Sequence, residues 1–217
     1  MKPKLIFMAL LCTLACGTRA QTDRGQGLAG GSLSFGTSKT KGESSALNNF
    51  TVTPRIGYFL YKNFALGVEF PLSLSKLHGV DYTRWDEEGG YYEDASGPQE
   101  FNFGIAAFAR KYFDIKEHWK IFGQANLTFQ VISTKLIDDD GYLIRNSGRL
   151  KGIGASLSPG VAYFFNNKLG IEFSFPVVSF FHQNYYDANS SYNYPKTNNL
   201  RLALENFTPT FGIHAHF

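Results

Sequence analysis

FTVTPRIGYFLYKNFALGVEFPLSL, residues 50–74, reads with a period of two on both sides of a short turn. Phe50, Val52, Pro54, Ile56, Tyr58 and Leu60 alternate with Thr51, Thr53, Arg55, Gly57 and Phe59. Beyond Tyr61-Lys62-Asn63, the residues Phe64, Leu66, Val68, Phe70, Leu72 and Leu74 alternate with Ala65, Gly67, Glu69, Pro71 and Ser73. Successive side chains of a strand point to opposite faces, so each run is a strand with one apolar face. Leu60 and Phe64 are both apolar-side residues, so an odd-numbered turn joins them and sets them opposite each other. Counting back through the same register puts Arg55 directly opposite Glu69, both on the polar side. The spacing predicts an ion pair.

The same alternation recurs outward from this hairpin. Phe101 to Ala109, Trp119 to Val131, Ile153 to Phe165, Leu169 to Val177 and Phe207 to Phe217 repeat it, and Leu28 to Thr37 is a weaker, Gly-rich member. With the two runs above, that makes eight strands. A soluble sandwich alternates too, and three features separate the cases. The strands run to about ten residues where soluble ones average roughly 5–6, and about ten tilted residues match a bilayer. The polar face is Gly, Ser, Thr, Asn and Gln with few charges, suited to a cramped, hydrated interior. Connections alternate in length: 61–63, 114–118 and 166–168 are short, whereas 38–49, 76–99, 133–149 and 180–199 are long. Short turns at one end and long loops at the other characterise barrels in outer membranes. Pro54, Pro71, Pro159 and Pro176 all fall within strands, where proline cannot donate to the ladder, so a bulge is expected at each. The last strand changes parity between Leu204 and Phe207, and a bulge near Glu205-Asn206 is expected there.

Composition agrees. The 217 residues are 43% hydrophobic, 16% aromatic and 18% charged, below the roughly 25% charge of an average protein. The formal charge of +3 comes from Lys2, Lys4 and Arg19, which leaves 18 basic against 18 acidic side chains after Ala20. A neutral chain lacks the electrostatic footprint of nucleic-acid binding. Lys2 and Lys4, the apolar run Leu5 to Ala15 and the small-x-small Thr18-Arg19-Ala20 read as a signal peptide over 1–20, cut before Gln21. Thr13-Leu14-Ala15-Cys16 offers lipidation at Cys16 as the rival. Residues 21–217 then form a single domain without cysteine, which excludes disulfides, Cys-ligated zinc and thiol catalysis.

The chain resembles the small outer-membrane β-barrel domain family of Gram-negative bacteria over everything after the leader. Phe217 with alternating Phe211, Ile213 and Ala215 is similar to the C-terminal strand by which such barrels are recognised for insertion. A hairpin also recurs, from Gly57-Tyr58-Phe59 to Leu66-Gly67-Val68-Glu69-Phe70 and from Ala162-Tyr163-Phe164-Phe165 to Leu169-Gly170-Ile171-Glu172-Phe173. The resemblance implies an all-β, eight-stranded antiparallel up-and-down transmembrane β-barrel with long outer loops and short periplasmic turns. It implies location in the cell outer membrane. The expected partners are outer-membrane lipid and lipopolysaccharide, and the barrel-insertion machinery through the strand ending at Phe217. No nucleic acid is expected, and the protein is expected to be a monomer.

Arg55, Glu69, Arg110, Lys120 and Glu172 are the charges that parity aims into the lumen, joined there by Phe59, Phe108, Tyr112, Phe122 and Phe164. Eight strands enclose an interior that side chains just fill, so a plugged lumen is expected over an open channel. Tyr82, Trp85, Tyr91, Tyr92, Tyr185 and Tyr186 in the second and fourth long loops are candidate surface contacts, with an aromatic girdle as the bland alternative. No catalytic, cofactor or metal residue is assigned. His78 with Asp81 and His182 with Asp187 lack a Ser-His-acid spacing; His214 and His216 share a face but lack a third ligand. Asp138-Asp139-Asp140 lacks the alternating spacing of a calcium loop. The leading function is a non-enzymatic barrel with a structural or surface-interaction role. The alternatives are a small pore, a lipid-modifying barrel enzyme, and a soluble lipocalin-like carrier.

Overall fold

The computed structural model of the protein describes residues 22–39, 46–78, 82–85, 91–94, 98–137, 143–186, 197–202 and 209–217. The expected leader, the Asp138–Asp140 triplet and the Glu205-Asn206 position lie outside them. The strands are β1 (Gly27–Lys39), β2 (Ala46–Tyr61), β3 (Phe64–Glu69), β4 (Leu72–His78), β5 (Tyr82–Trp85), β6 (Tyr91–Asp94), β7 (Pro98–Lys116), β8 (Trp119–Ile137), β9 (Leu143–Phe164), β10 (Leu169–Ser174), β11 (Val178–Tyr186), β12 (Thr197–Leu202) and β13 (Thr210–His216). Every pairing is antiparallel, and none of the described residues is helical.

The ladders form a ring. β1 pairs with β2, β2 with β3, β3 with β7, β7 with β8, β8 with β9, β9 with β10, β10 with β13, and β13 with β1. β4 continues the wall begun by β3, and β11 that begun by β10, each held between the same or adjoining neighbours. The wall therefore has eight members and closes on itself, which removes the open edges a sheet would otherwise expose.

Alternation sorts the two faces as the sequence predicts. Outward residues such as Ile56, Phe129, Leu127 and Ile213 are exposed, whereas Leu28, Phe59, Ala65, Ala162 and Phe164 are fully buried inside. The short turn after β2 carries Asn63 in the left-handed region, with φ of 62°, and a register shift between Phe59 and Tyr61. An αL residue with an adjacent bulge is a standard three-residue hairpin closure, and Asn tolerates that conformation better than most residues.

Three expectations are corrected. Pro54 and Pro159 run through uninterrupted registers, Gly31 facing Pro54 and Gly123 facing Pro159 without a bulge. Pro71 interrupts the ladder between β3 and β4 but leaves the register unchanged on both neighbours. Only at Pro176 does a bulge form, since β10 and β11 hold one residue more than β9 across that break. Consequently Val178 and Phe180, not Val177, take the outward positions beyond it.

The strands also outrun their apolar bands: β8 has 19 residues and β9 has 22. Part of each expected long loop is ladder, and β5 and β6 form a hairpin inside the second. Hydrogen bonding continues into water with polar side chains, so the apolar pattern marks the lipid-facing band and not the end of the strand.

Candidate functional site

The candidate site is the lumen, where side chains from all parts of the ring meet in successive layers. Nearest the short turns lies an aromatic layer. Leu28, Phe59, Tyr112, Phe122, Phe164, His214 and His216 are all buried. Tyr112 is central, with ring centroids 6.0 Å from Phe59, 5.6 Å from Phe122 and 6.4 Å from Phe164. His216 packs 5.2 Å from Phe59 and 5.3 Å from Phe164. Tilted and edge-on contacts of this kind are the favourable ring geometries.

The next layer is ionic. Arg55 Nε lies 3.1 Å from Glu69 Oε1, and the ladder sets these residues directly opposite each other. The Arg55 guanidinium also bonds Glu172 and donates through Nη2 to Ser32 Oγ at 2.9 Å. Arg110 donates to Glu172 at 2.5 and 3.2 Å, to Gln124 Oε1 at 2.7 Å and to the Tyr112 hydroxyl at 2.9 Å. Gln124 Nε2 donates to Glu69 Oε1 at 2.9 Å and so ties the two carboxylates into one network. Arg110 further stacks on Phe122, its guanidinium carbon 4.3 Å from the ring centroid. Two guanidinium and two carboxylate groups thus neutralise each other, none of the four residues more than 7% exposed. Such burial is tolerable only when each charge is paired and hydrogen-bonded.

Glycines make room for these rings. Gly57 and Gly67 face each other on β2 and β3, and a Cβ on either would meet the Phe108 ring at 2.9 or 2.6 Å. At Gly170 a Cβ would strike His214 Nε2 at 2.5 Å. Phe108 and His214 fold back over the neighbouring strands, Phe108 opposite Gly67 and His214 opposite Gly170 in the ladder, and only glycine leaves that stretch of wall flat enough for the ring.

Toward the long loops the lumen opens into a polar cavity of about 240 Å³. Ser32, Thr53, Asn126, Ser156, Ser158 and Thr210 are among its lining, and Arg55, Glu69 and Arg110 of the ionic layer form its floor.

Of the five charges that parity aims inward, Arg55, Glu69, Arg110 and Glu172 meet in one cluster. Lys120 does not join them. Its ammonium bonds Asp114, the residue directly across the ladder, at the short-turn end. Tyr112, expected in the lumen as one of its aromatics, joins the cluster through its hydroxyl, and Gln124 and Ser32 complete it without having been singled out in the sequence. Their inward parity was legible, but uncharged polar residues on that face carry no further signal. The candidate loop contacts lie in two ladders: Tyr82 pairs with Asp94 and Trp85 with Tyr91 along β5–β6, Tyr92 opposes Arg84, and Tyr185 and Tyr186 of β11 oppose Leu150 and Arg149 of β9. His182 Nδ1 lies 2.6 Å from Asn198 Oδ1, and its expected companion Asp187 is outside the described residues. Glu172 is 3.3 Å from His214 Nδ1, and no group of three metal-ligating side chains occurs among the described residues.

A closed ring with an apolar exterior and a polar, charge-paired interior is the architecture of a barrel in lipid, and residues 7–205 match the outer membrane protein beta-barrel domain family. The chain belongs to that family. Its members' location is the outer membrane, so the exposed band of Ile56, Phe129, Leu127 and Ile213 faces acyl chains there. No curated protein matches the chain in sequence. In three dimensions this outer-membrane barrel is similar to OprG of Pseudomonas aeruginosa, with TM-score 0.50 and 10% identity over 91% of this chain and 98% of that one. It is also similar to the Neisserial surface protein A, with TM-score 0.46 and 13% identity over 88% and 97% of the two chains. The barrel's apolar grooves, of about 700 and 430 Å³, lie outside the lumen around Val161 and Phe173 and open toward the bilayer. Trp119 and Tyr163, with ring centroids 4.9 Å apart, border that band at the short-turn end, where interfacial aromatics belong.

Proposed function

We propose that this outer-membrane barrel is non-enzymatic and plugged, and that it acts structurally or through contacts made by its long loops. The observation that carries the reading is the pair of stacked layers across the lumen. An aromatic layer centred on Tyr112 lies directly against a neutral Arg55–Glu69–Arg110–Glu172 cluster, all of it buried. Moving an ion past that cluster requires separating buried, hydrogen-bonded charges, a step that typically costs ~3–5 kcal/mol for each pair broken. The short turns face the periplasm and the long loops the exterior, as in bacterial outer-membrane barrels, and the even number of strands brings both chain termini to the short-turn side. Lipid and lipopolysaccharide surround the band as a monomer's only obligatory neighbours. The strand ending at Phe217 engages the insertion machinery, and the tyrosine- and tryptophan-bearing second and fourth loops are the contact surfaces.

The polar cavity favours passive solute passage as the second reading, because its hydroxyl lining suits water and small solutes. Its floor of Arg55 and Arg110 argues for a dead end. Purified protein in planar bilayers separates the two. At most small, intermittent conductance is expected; steady, large, porin-like channels from a monomer would overturn the plugged reading.

A further inference from the structure

At the short-turn end the chain does not simply begin with β1. Gly25 has a φ of 90°, a left-handed conformation that only glycine adopts cheaply. Up to that point the backbone follows the barrel wall: Phe59 N donates to Gln26 O and Gly25 N donates to Phe59 O, both at 2.9 Å. Beyond it the chain leaves the wall and turns inward. Gln26 N donates to Asp23 O at 3.4 Å, and Asp23 N to Gln26 Oε1 at 3.1 Å, which hold the turn. Thr22 and Gln26 are buried although they belong to no strand.

The turn delivers Thr22 to a prepared site. Asn63 N donates to Thr22 O at 2.8 Å, and the Thr22 hydroxyl bonds Asn63 Oδ1. Lys120 reaches the same point from β8, which stands four walls from β1 in either direction round the ring. Its ammonium has three protons and three acceptors: Thr22 Oγ1 at 3.1 Å, Asn63 Oδ1 at 3.3 Å, and Asp114. Asn63 is fixed in turn, since its Nδ2 donates to Asp114 Oδ2 at 2.9 Å and its carbonyl accepts from Tyr112 N at 2.8 Å.

We propose that Thr22–Gln26 is a strap that closes the short-turn mouth of the barrel, with Lys120 of the opposite wall as its latch. The strap lies outside the aromatic layer and is a separate closure, so it does not depend on the lumen being plugged above it. Its action is to exclude water and solutes from the mouth, where Ala65 and Phe59 are fully buried although one turn from the barrel's end. Lys120 is a positioning residue here: it acts through Thr22.

Access to Ala65 tests the strap. Ala65→Cys is labelled with a small, charged, membrane-impermeant thiol reagent in detergent micelles, with the parent protein as blank. Labelling should be slow. Adding Thr22→Val, which keeps the shape and removes the hydroxyl, or Lys120→Met should speed it about tenfold or more, the local opening expected from losing a charge-assisted hydrogen bond. Equal rates with and without these changes would overturn the proposal, as would fast labelling in all of them. Heat-modifiable mobility on gels reports folding; if Lys120→Met fails to fold, Thr22→Val decides alone. Planar bilayers keep this separate from the plug: Thr22→Val should label faster yet remain electrically silent. Porin-like conductance in the parent would overturn the plug and the closed mouth together, whereas electrically silent bilayers with strap-independent labelling would overturn the strap and leave the plugged lumen standing.

Discussion

Glu172 is the carboxylate whose loss the lumen tolerates least. It accepts from Arg55 and from both terminal nitrogens of Arg110, and its side chain is 1% exposed. Glu172→Met leaves two buried guanidinium groups with Glu69 as the one remaining carboxylate of the cluster, one positive charge in excess at the inner end of the polar cavity. Removing one partner of a buried pair costs ~3–5 kcal/mol. Arg110→Met should cost a similar amount by stranding a carboxylate. The double change Arg110→Met, Glu172→Met restores neutrality, keeps the Arg55–Glu69 pair, 3.1 Å apart in the parent, and leaves flexible apolar side chains that occupy most of the space. It should therefore cost far less than the sum, with a coupling energy of ~3 kcal/mol or more. Reversible denaturant unfolding in lipid vesicles, followed by tryptophan emission, measures all four corners of the cycle. A second check is salt: a surface pair is screened at 1 M, with a Debye length of about 3 Å, whereas this coupling should persist. Additive single effects, within ~0.5 kcal/mol, would mean that the cluster does not hold the walls together as its geometry requires.

Leu127→Arg places a charge on an outward position that is 65% exposed to lipid and should destabilise by ~2–4 kcal/mol near mid-bilayer. Asn126→Arg, beside it on the lumen face, should cost less, and equal tolerance in vesicle unfolding would mean the faces are reversed. Gly67→Ala forces a Cβ to within 2.6 Å of both Phe108 and the Gly57 Cα. It should cost ~1–3 kcal/mol by overpacking, partly recovered by Phe108→Leu; no loss on the same titration would show that the ring does not lie against that wall. Proteases applied to intact cells should cut in the long loops, first between Lys76 and Gln99, and spare the turns at Lys116 and Lys168. Cleavage at either of those lysines in unpermeabilised cells would invert the topology.

Up to the bulge at Pro176, beyond which Val178 and not Val177 turns outward, the sequence by itself determined which residues face lipid and which face the lumen, because side-chain direction in a regular strand depends only on parity. It also determined local register where the turn was bounded correctly: a turn of known parity between Leu60 and Phe64 sets Arg55 opposite Glu69, whereas Asp114, read as part of the 114–118 turn, stands in the ladder opposite Lys120. Adjacent strands joined by short turns have their neighbours written in the chain.

Contacts across the lumen are not written there. Glu172 meets Arg55 and Arg110 from strands 117 and 62 residues away, and which rows come level depends on ring closure between β1 and β13 and on the stagger of the strands around it. Parity predicted that Glu172 points inward but left Lys120 and Arg110 as equal candidates for it. The Thr22–Gln26 strap left no periodic trace at all, since a five-residue segment off the wall has no alternation to read. Tertiary structure alone assigned those partners, because a period of two specifies a direction, and only the closed geometry of the barrel specifies what stands at the other end of it.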